Sequence, residues 1–208
     1  SFFVKGPDEY CGAAVNNTFT NYMARNNLRL ALRYGDLTPE ERERMQYAAQ
    51  RVELLYDPAR DLYLQDELLD RLEEAPFLKN GDEPSYKLYC FDRMQRYRVL
   101  KQADLVLLMT LFPGDFTEAQ KRNVFMYYEP ITLHDSTLSY GPHAQLALSL
   151  GLWDKAEEYL RKAVYLDLKN VMGNTGHEGL HMAAMGAAWQ AVVFGAAGLW
   201  AENGELTV

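Results

Sequence analysis

Cysteine is almost missing from this chain of 208 residues: Cys11 and Cys90 are the whole complement, and they form no CxxC pair. No disulfide framework or cysteine-based metal site can be built from them, and such usage points to a reducing compartment, the cytoplasm. Long apolar runs are missing too. None reaches the roughly 18 to 20 residues that a helix needs to cross a bilayer, and no signal-peptide pattern opens the chain, so no membrane partner is expected. Positive charge is in deficit, with 21 Lys and Arg against 29 Asp and Glu and a formal net charge of −8. That balance argues against a nucleic-acid partner, and an anionic substrate would need a local cluster of donors. Confident strand patterns are scarce.

What is present suits a soluble helical protein: 48% apolar and 24% charged residues, with 14 tyrosines, 9 phenylalanines and 3 tryptophans. Such flat amphipathic side chains serve sugar clefts and helical cores equally well. Apolar spacing predicts a helix from about Asn16 to Tyr34, closed by Gly35. Thr38-Pro39-Glu40-Glu41 reads as an N-cap, a proline at the first helical position and acids in the first turn of a helix reaching about Leu54, with Met45, Ala48, Ala49 and Val52 inward. From Tyr56 to Pro84 the punctuation becomes irregular (Asp-Pro, Ala-Pro, Asn-Gly-Asp, Glu-Pro), with one short helix over Leu68–Leu72.

Helical signals resume over Arg98 to Phe112, around Leu105-Val106-Leu107-Leu108-Met109. Thr117 caps a helix to about Tyr128, which Glu129-Pro130 breaks, and Ile131 to Ser139 reads as an exposed loop. Pro142 to Leu150 and Trp153 to Leu168 are further helices. The small apolar stretch from His177 to Leu199 is expected to be deeply buried. About seven helices with short connections give an all-α fold. Residues Ala147–Tyr159 resemble half of a tetratricopeptide repeat, which keeps a helical-repeat binding scaffold as an alternative, although no second copy of the repeat is present.

Four stretches carry chemistry. In Gly6-Pro7-Asp8-Glu9-Tyr10 a rigid loop presents two adjacent carboxylates. An acid that donates a proton at neutral pH needs a raised pKa, which burial, Tyr10 and the like charge of Asp8 would favour; equally, Asp8 and Glu9 could simply cap the next helix. Lys101-Gln102 sits where an extended segment enters a helix and offers donors to adjacent sugar hydroxyls, or forms a solvated pair. Ser136-Thr137, within Tyr127-Tyr128-Glu129-Pro130 through Ser139, could cradle an oxyanion or make a plain turn. His177 and His181 lie four apart, but the intervening residues do not make the HExxH order and no third ligand is suitably spaced, so a zinc site is rejected. His181 could also be an ordinary core histidine.

These stretches closely resemble, in order and over nearly the whole chain, glycoside hydrolase family 65, the family of maltose, kojibiose, nigerose and trehalose phosphorylases. The matching residues are Gly6-Pro7-Asp8-Glu9-Tyr10 with Asn16-Asn17 and Thr20-Asn21-Tyr22; Lys101-Gln102-Ala103-Asp104; Tyr128-Glu129-Pro130 with His134-Asp135-Ser136-Thr137-Leu138-Ser139; and Asn174-Thr175 with Gly179-Leu180-His181. Thr137 stands where the family has a second Ser. The resemblance implies Glu9 as general acid, Lys101 and Gln102 as contacts to the sugar at the cleaved bond, and Ser136, Thr137 and His181 as phosphate ligands. His177 is given no role.

It further implies an (α/α)6 barrel of which residues 1–208 form only the later half, with a C-terminal β segment starting at about 203–208. Family members are much longer, so the chain reads as a fragment that pairs with a missing N-terminal half, and the full-length protein as a homodimer. The implied reaction is inverting phosphorolysis of an α-glucosidic disaccharide or oligosaccharide, with inorganic phosphate as co-substrate and no cofactor or metal. A family 65 hydrolase is the sibling alternative.

Overall fold

The computed structural model describes residues 1–76, 78, 84–202 and 205–207. The Asn-Gly-Asp punctuation at 80–82 and positions 203, 204 and 208 of the expected β segment lie outside the described residues. Among those described, seven helices have eight or more residues: α1 (Thr18–Tyr34), α2 (Pro39–Arg51), α4 (Asp104–Leu111), α5 (Glu118–Tyr128), α6 (Tyr140–Ser149), α7 (Trp153–Val164) and α9 (Met182–Gln190). Two single turns, α3 (Phe91–Met94) and α8 (Thr175–Glu178), complete the α-helices, and α9 runs on into a π-helical turn over Ala191–Ala196.

Helix starts are set by local chemistry. Thr38 and Thr117 each accept a backbone N–H three residues on, while Glu41 and Gln120 reach back to the cap amide, closing two capping boxes. Asn17 caps α1 through Thr20 N. Strands are confined to three antiparallel pairs: β1 (Phe2–Val4) with β2 (Ala14–Val15), β3 (Tyr56–Asp57) with β4 (Leu62–Tyr63), and β5 (Trp200–Glu202) with β6 (Glu205–Thr207). The irregular stretch after Tyr56 therefore opens with a short hairpin, and Leu69–Arg71 is a 3-10 turn within the span expected to be helical.

Helices alternate between inner and outer positions. Seven of the eight side chains of the run Ala103–Thr110 are buried, Leu107 being the exception, and α6 is buried from Tyr140 to Ala147. The helices that follow them, α5 and α7, each bury only three residues. Four contacts fix the direction of the inner helices. Ala103 and Leu107 of the α4 segment line a small pocket with Leu138, Ser139, Pro142 and His143, and further along Gln145 Nε2 donates to Thr110 O at 3.3 Å. Gly141 lies against Ala187, while Gln145 and Leu148 lie against Gly195. Sequence number thus increases in the same sense along α4, α6 and α9. The inner helices are parallel because each outer helix carries the chain back, and their N-termini share one end of the array. The Ala147–Tyr159 stretch is one such turn of the chain, α6 to α7 through Gly151 at φ +67°.

Three expectations need correction. Residues 98–103 are not helical but run through bends, with Leu100 bridged to Thr132 and Ala103 extended, so α4 starts only at Asp104. The loop from Ile131 to Ser139 is not exposed: Thr132, Asp135, Ser136 and Ser139 are buried, because its polar groups are satisfied inside the protein. Nor is the stretch from His177 to Leu199 deeply buried. Ala184, Ala188, Ala191 and Gly195 face inward, but Met182, Met185, Trp189 and Val192 are exposed, since α6 covers only one side of this helix.

Candidate active site

The loop Gly6–Tyr10 is held by two buried carboxylates. Asp8 Oδ1 accepts the amides of Lys101 at 2.8 Å and Tyr10 at 3.2 Å, and its Oδ2 accepts Gln65 Nε2 at 3.4 Å. Asp8 N in turn donates to Asp104 Oδ1 at 2.5 Å, and Asn17 Nδ2 donates to Asp104 Oδ2 at 2.8 Å. Gly6 fits here for lack of a side chain, because a Cβ would sit 2.1 Å from Asp104 Oδ2 and 2.7 Å from Asn17 Nδ2. Gln102 Nε2 closes the loop on Pro7 O at 2.6 Å.

Burial pushes the Asp8 carboxyl up to about 7 against the pull of its amide donors, and burial with the nearby Asp8 charge raises Asp104 as well. Burial thus favours the protonated form at both Asp8 and Asp104. Yet the oxygens of Asp8 are taken by scaffold donors. Glu9 is the carboxylate that reaches outward: its side chain is 44% exposed and pairs with Lys101 Nζ at 2.5 Å. The ammonium also lies over the rings of Tyr86 and Phe91, at 5.2 and 5.6 Å from their centroids.

The turn leading into α6 touches the same loop. Tyr10 OH donates to Asp135 Oδ2 at 2.6 Å, and Ser85 N donates to the same oxygen at 2.9 Å. Burial, followed by the Asp135 carboxylate, drives the Tyr10 hydroxyl far above its ordinary value, so it acts purely as a neutral donor. Ser136 follows directly, its Oγ accepting Leu138 N at 3.2 Å, with Thr137 half-buried beside it. Behind the turn His134 sits at φ +57° with Nδ1 at 2.8 Å from Ser139 Oγ and Nε2 at 3.1 Å from Tyr159 OH. Tyr159 OH donates to Glu129 Oε1 at 2.7 Å, and Lys155 pairs with the same oxygen at 2.8 Å. The single hydroxyl proton of Tyr159 is thereby committed to Glu129, so the Nε2 of His134 carries a hydrogen toward Tyr159.

His181 begins α9 at the same end. Its amide donates to Asp167 Oδ2 at 2.8 Å, and its Nδ1 lies 2.6 Å from Asp167 Oδ1. Glu9 and Lys101 are thus in direct contact; Gln102 holds the loop that carries Glu9; Ser136 is joined to that loop through Asp135 and Tyr10. His181 belongs with them through the parallel course of α6 and α9 rather than through a shared bond. Sequence reasoning saw Asp8 only as a like charge beside Glu9 or a helix cap, and gave no role to Asp104, Asn17, Asp135 or Asp167. All but Asp167 stand inside the quoted motifs, where an acid after Gly-Pro, an acid in a first turn and an acid before Ser136 were available signals. Asp167 had none. Among the described residues no group of three or more His, Cys, Asp or Glu is arranged to hold a metal ion.

Parallel inner helices, each followed by an outer helix that carries the chain back, define a segment of an α/α barrel. The model of the glycosyl hydrolase family 65 central catalytic domain matches residues 3–190, and the chain belongs to that family. The alpha,alpha-trehalose phosphorylase of Geobacillus stearothermophilus is 37% identical, the match covering 99% of this chain and 29% of the relative. The maltose phosphorylase of Bacillus subtilis (strain 168) is 35% identical over 98% of this chain and 28% of its own length. Among solved structures, a candidate kojibiose phosphorylase from the human microbiome superposes with a TM-score of 0.89 at 30% identity, covering 99% of this chain and 31% of that one. The chain therefore spans about three tenths of the length of the curated relatives it matches. No helix among the described residues is long and apolar enough to cross a membrane.

Proposed function

We propose that these residues form the acid-bearing and phosphate-binding part of an inverting phosphorylase that splits an α-glucosidic disaccharide or oligosaccharide into β-glucose 1-phosphate and the shortened sugar. Glu9 protonates the glycosidic oxygen as the bond breaks. Lys101 and Gln102 hold hydroxyls of the glucosyl unit. Phosphate attacks from the opposite face, held by Ser136, Thr137 and His181, and inorganic phosphate needs placement rather than deprotonation because it is already anionic at neutral pH. The two free cysteines suit a cytoplasmic protein.

One observation carries the reading: Glu9 is the outward carboxylate at the end of the array where the N-termini of α4, α6 and α9 meet. Helix N-termini present unpaired backbone N–H groups and a partial positive charge, which favour a bound anion. In a chain with excess negative charge this is the local donor cluster that phosphate requires. In a protein of the relatives' full length carrying these residues, Glu9→Gln is expected to reduce phosphate-dependent release of β-glucose 1-phosphate by about 100-fold or more. Activity within a few-fold of the parent would sink the assignment, and glucose release that ignores phosphate would make the protein a hydrolase.

A further inference from the structure

We infer that Asp8 is a positioning residue that sets the general acid and the sugar-binding lysine at one fixed separation. The inference rests on the reading of Glu9 as the acid. Asp8 is 1% exposed, and one of its oxygens accepts two amides: that of Tyr10, directly after Glu9, and that of Lys101. The backbones carrying the two ends of the Glu9–Lys101 pair are thus pinned to a single atom, although the two residues lie far apart in sequence. Asp104 repeats the device one step further in. It accepts the Asp8 amide and the Asn17 side chain, tying the same loop to the first turn of α4 and the start of α1.

A donated proton must sit within hydrogen-bonding reach of the leaving oxygen, and a displacement of about 1 Å can lower a rate about 100-fold. The side chain of Glu9 is partly exposed and held, among the described residues, only by Lys101, so its reach depends on where its backbone is set. What the clamp requires is an acceptor, not a charge. An amide at position 8 keeps an oxygen for both backbone N–H groups. Its nitrogen would meet Gln65, whose buried Oε1 has no hydrogen-bond partner and can turn to accept it.

The test compares two donors in the full-length protein: a disaccharide, whose leaving oxygen needs the proton, and α-glucosyl fluoride, whose fluoride leaves with little protonation. Each is assayed by β-glucose 1-phosphate formed from inorganic phosphate. Asp8→Ala is expected to lower kcat on the disaccharide by about 100-fold while the fluoride falls by less than about tenfold. Asp8→Asn is expected to stay within about fivefold of the parent on both. Equal loss on the two donors for Asp8→Ala, including the total loss that misfolding brings, would overturn the inference, as would an Asp8→Asn variant as defective as Asp8→Ala. Glu9→Gln run alongside separates the two ideas. If it spares the fluoride and abolishes disaccharide turnover, the acid assignment stands whatever Asp8 does; if it leaves both unchanged, the acid assignment itself fails.

Discussion

The two halves of the site are held by opposite chemistry. The acid loop, Gly6–Tyr10, is fixed by buried carboxylates, Asp8 and Asp104, which accept amide hydrogens. The turn before α6 is fixed mainly by imidazoles and hydroxyls: His134 between Ser139 and Tyr159, and His143, whose Nδ1 lies 2.9 Å from Ser139 O. One half buries groups that want to gain a proton, the other a base kept from gaining one. The difference follows from what each half must present. A loop that offers a carboxylate can bury neutral acids behind it, since a second full negative charge would be costly. The turn also carries carboxylates, but each is met by donors: Asp135 by Tyr10 OH and Ser85 N, Glu129 by Tyr159 OH and Lys155.

Breaking the acid half should matter most. Lys101→Ala is expected to lower kcat/KM for the disaccharide by ten- to a hundred-fold, in line with about 1.5–3 kcal/mol for a hydrogen bond from a charged group. A loss confined to phosphate affinity would instead put Lys101 on the other half. Gly6→Ala drives a methyl group into the Asp104–Asn17 pair and is expected to destabilise by about 1–3 kcal/mol, read as a lowered thermal midpoint.

The pH dependence sharpens the contrast, because the two signs are opposite. Asp8 is raised from 3.8 to about 7, so the folded state holds this proton more tightly and its contribution is lost as pH climbs from about 4 to 7. Measured against Asp8→Asn, the parent should lose stability over that window, with a slope of at most ~1.4 kcal/mol per pH unit. His143 is lowered from 6.5 to about 4 by burial, so its contribution is complete above 6.5 and lost as pH falls toward 4. Compared with His143→Gln, the parent should therefore weaken on acidification. Matching signs for the two pairs would refute the division. The smallest effect is expected at Tyr159→Phe, which removes the hydroxyl joining Glu129 to His134 and should destabilise by about 1 kcal/mol.

Much of this was legible along the chain. Thr38 and Thr117 announced their helices because capping is decided within four residues, and the all-α reading followed from periodicity alone. The candidate residues, in stretches such as Gly6–Tyr10 and Lys101–Gln102, rested on resemblance to the family, since their local patterns equally suit a helix cap or a solvated pair. The loop before α6 misled, since its polar side chains suggest solvent while their partners, Tyr10 for Asp135 and Tyr159 for His134, lie far off in sequence. The stretch after His177 misled in the other direction. Its composition is that of a core, but burial depends on a neighbour, and α6 supplies only one side.

By itself, then, the order of residues determined which segments become helices and where most of them start, because those choices rest on contacts a few positions apart. Tertiary structure alone decided that α4, α6 and α9 run parallel with their starts at one end, and that Asp8 and Asp104 are buried where the protonated carboxyl is favoured. Both depend on which distant groups exclude water from a carboxyl or turn a helix to face its neighbour, and no short stretch of sequence contains that information.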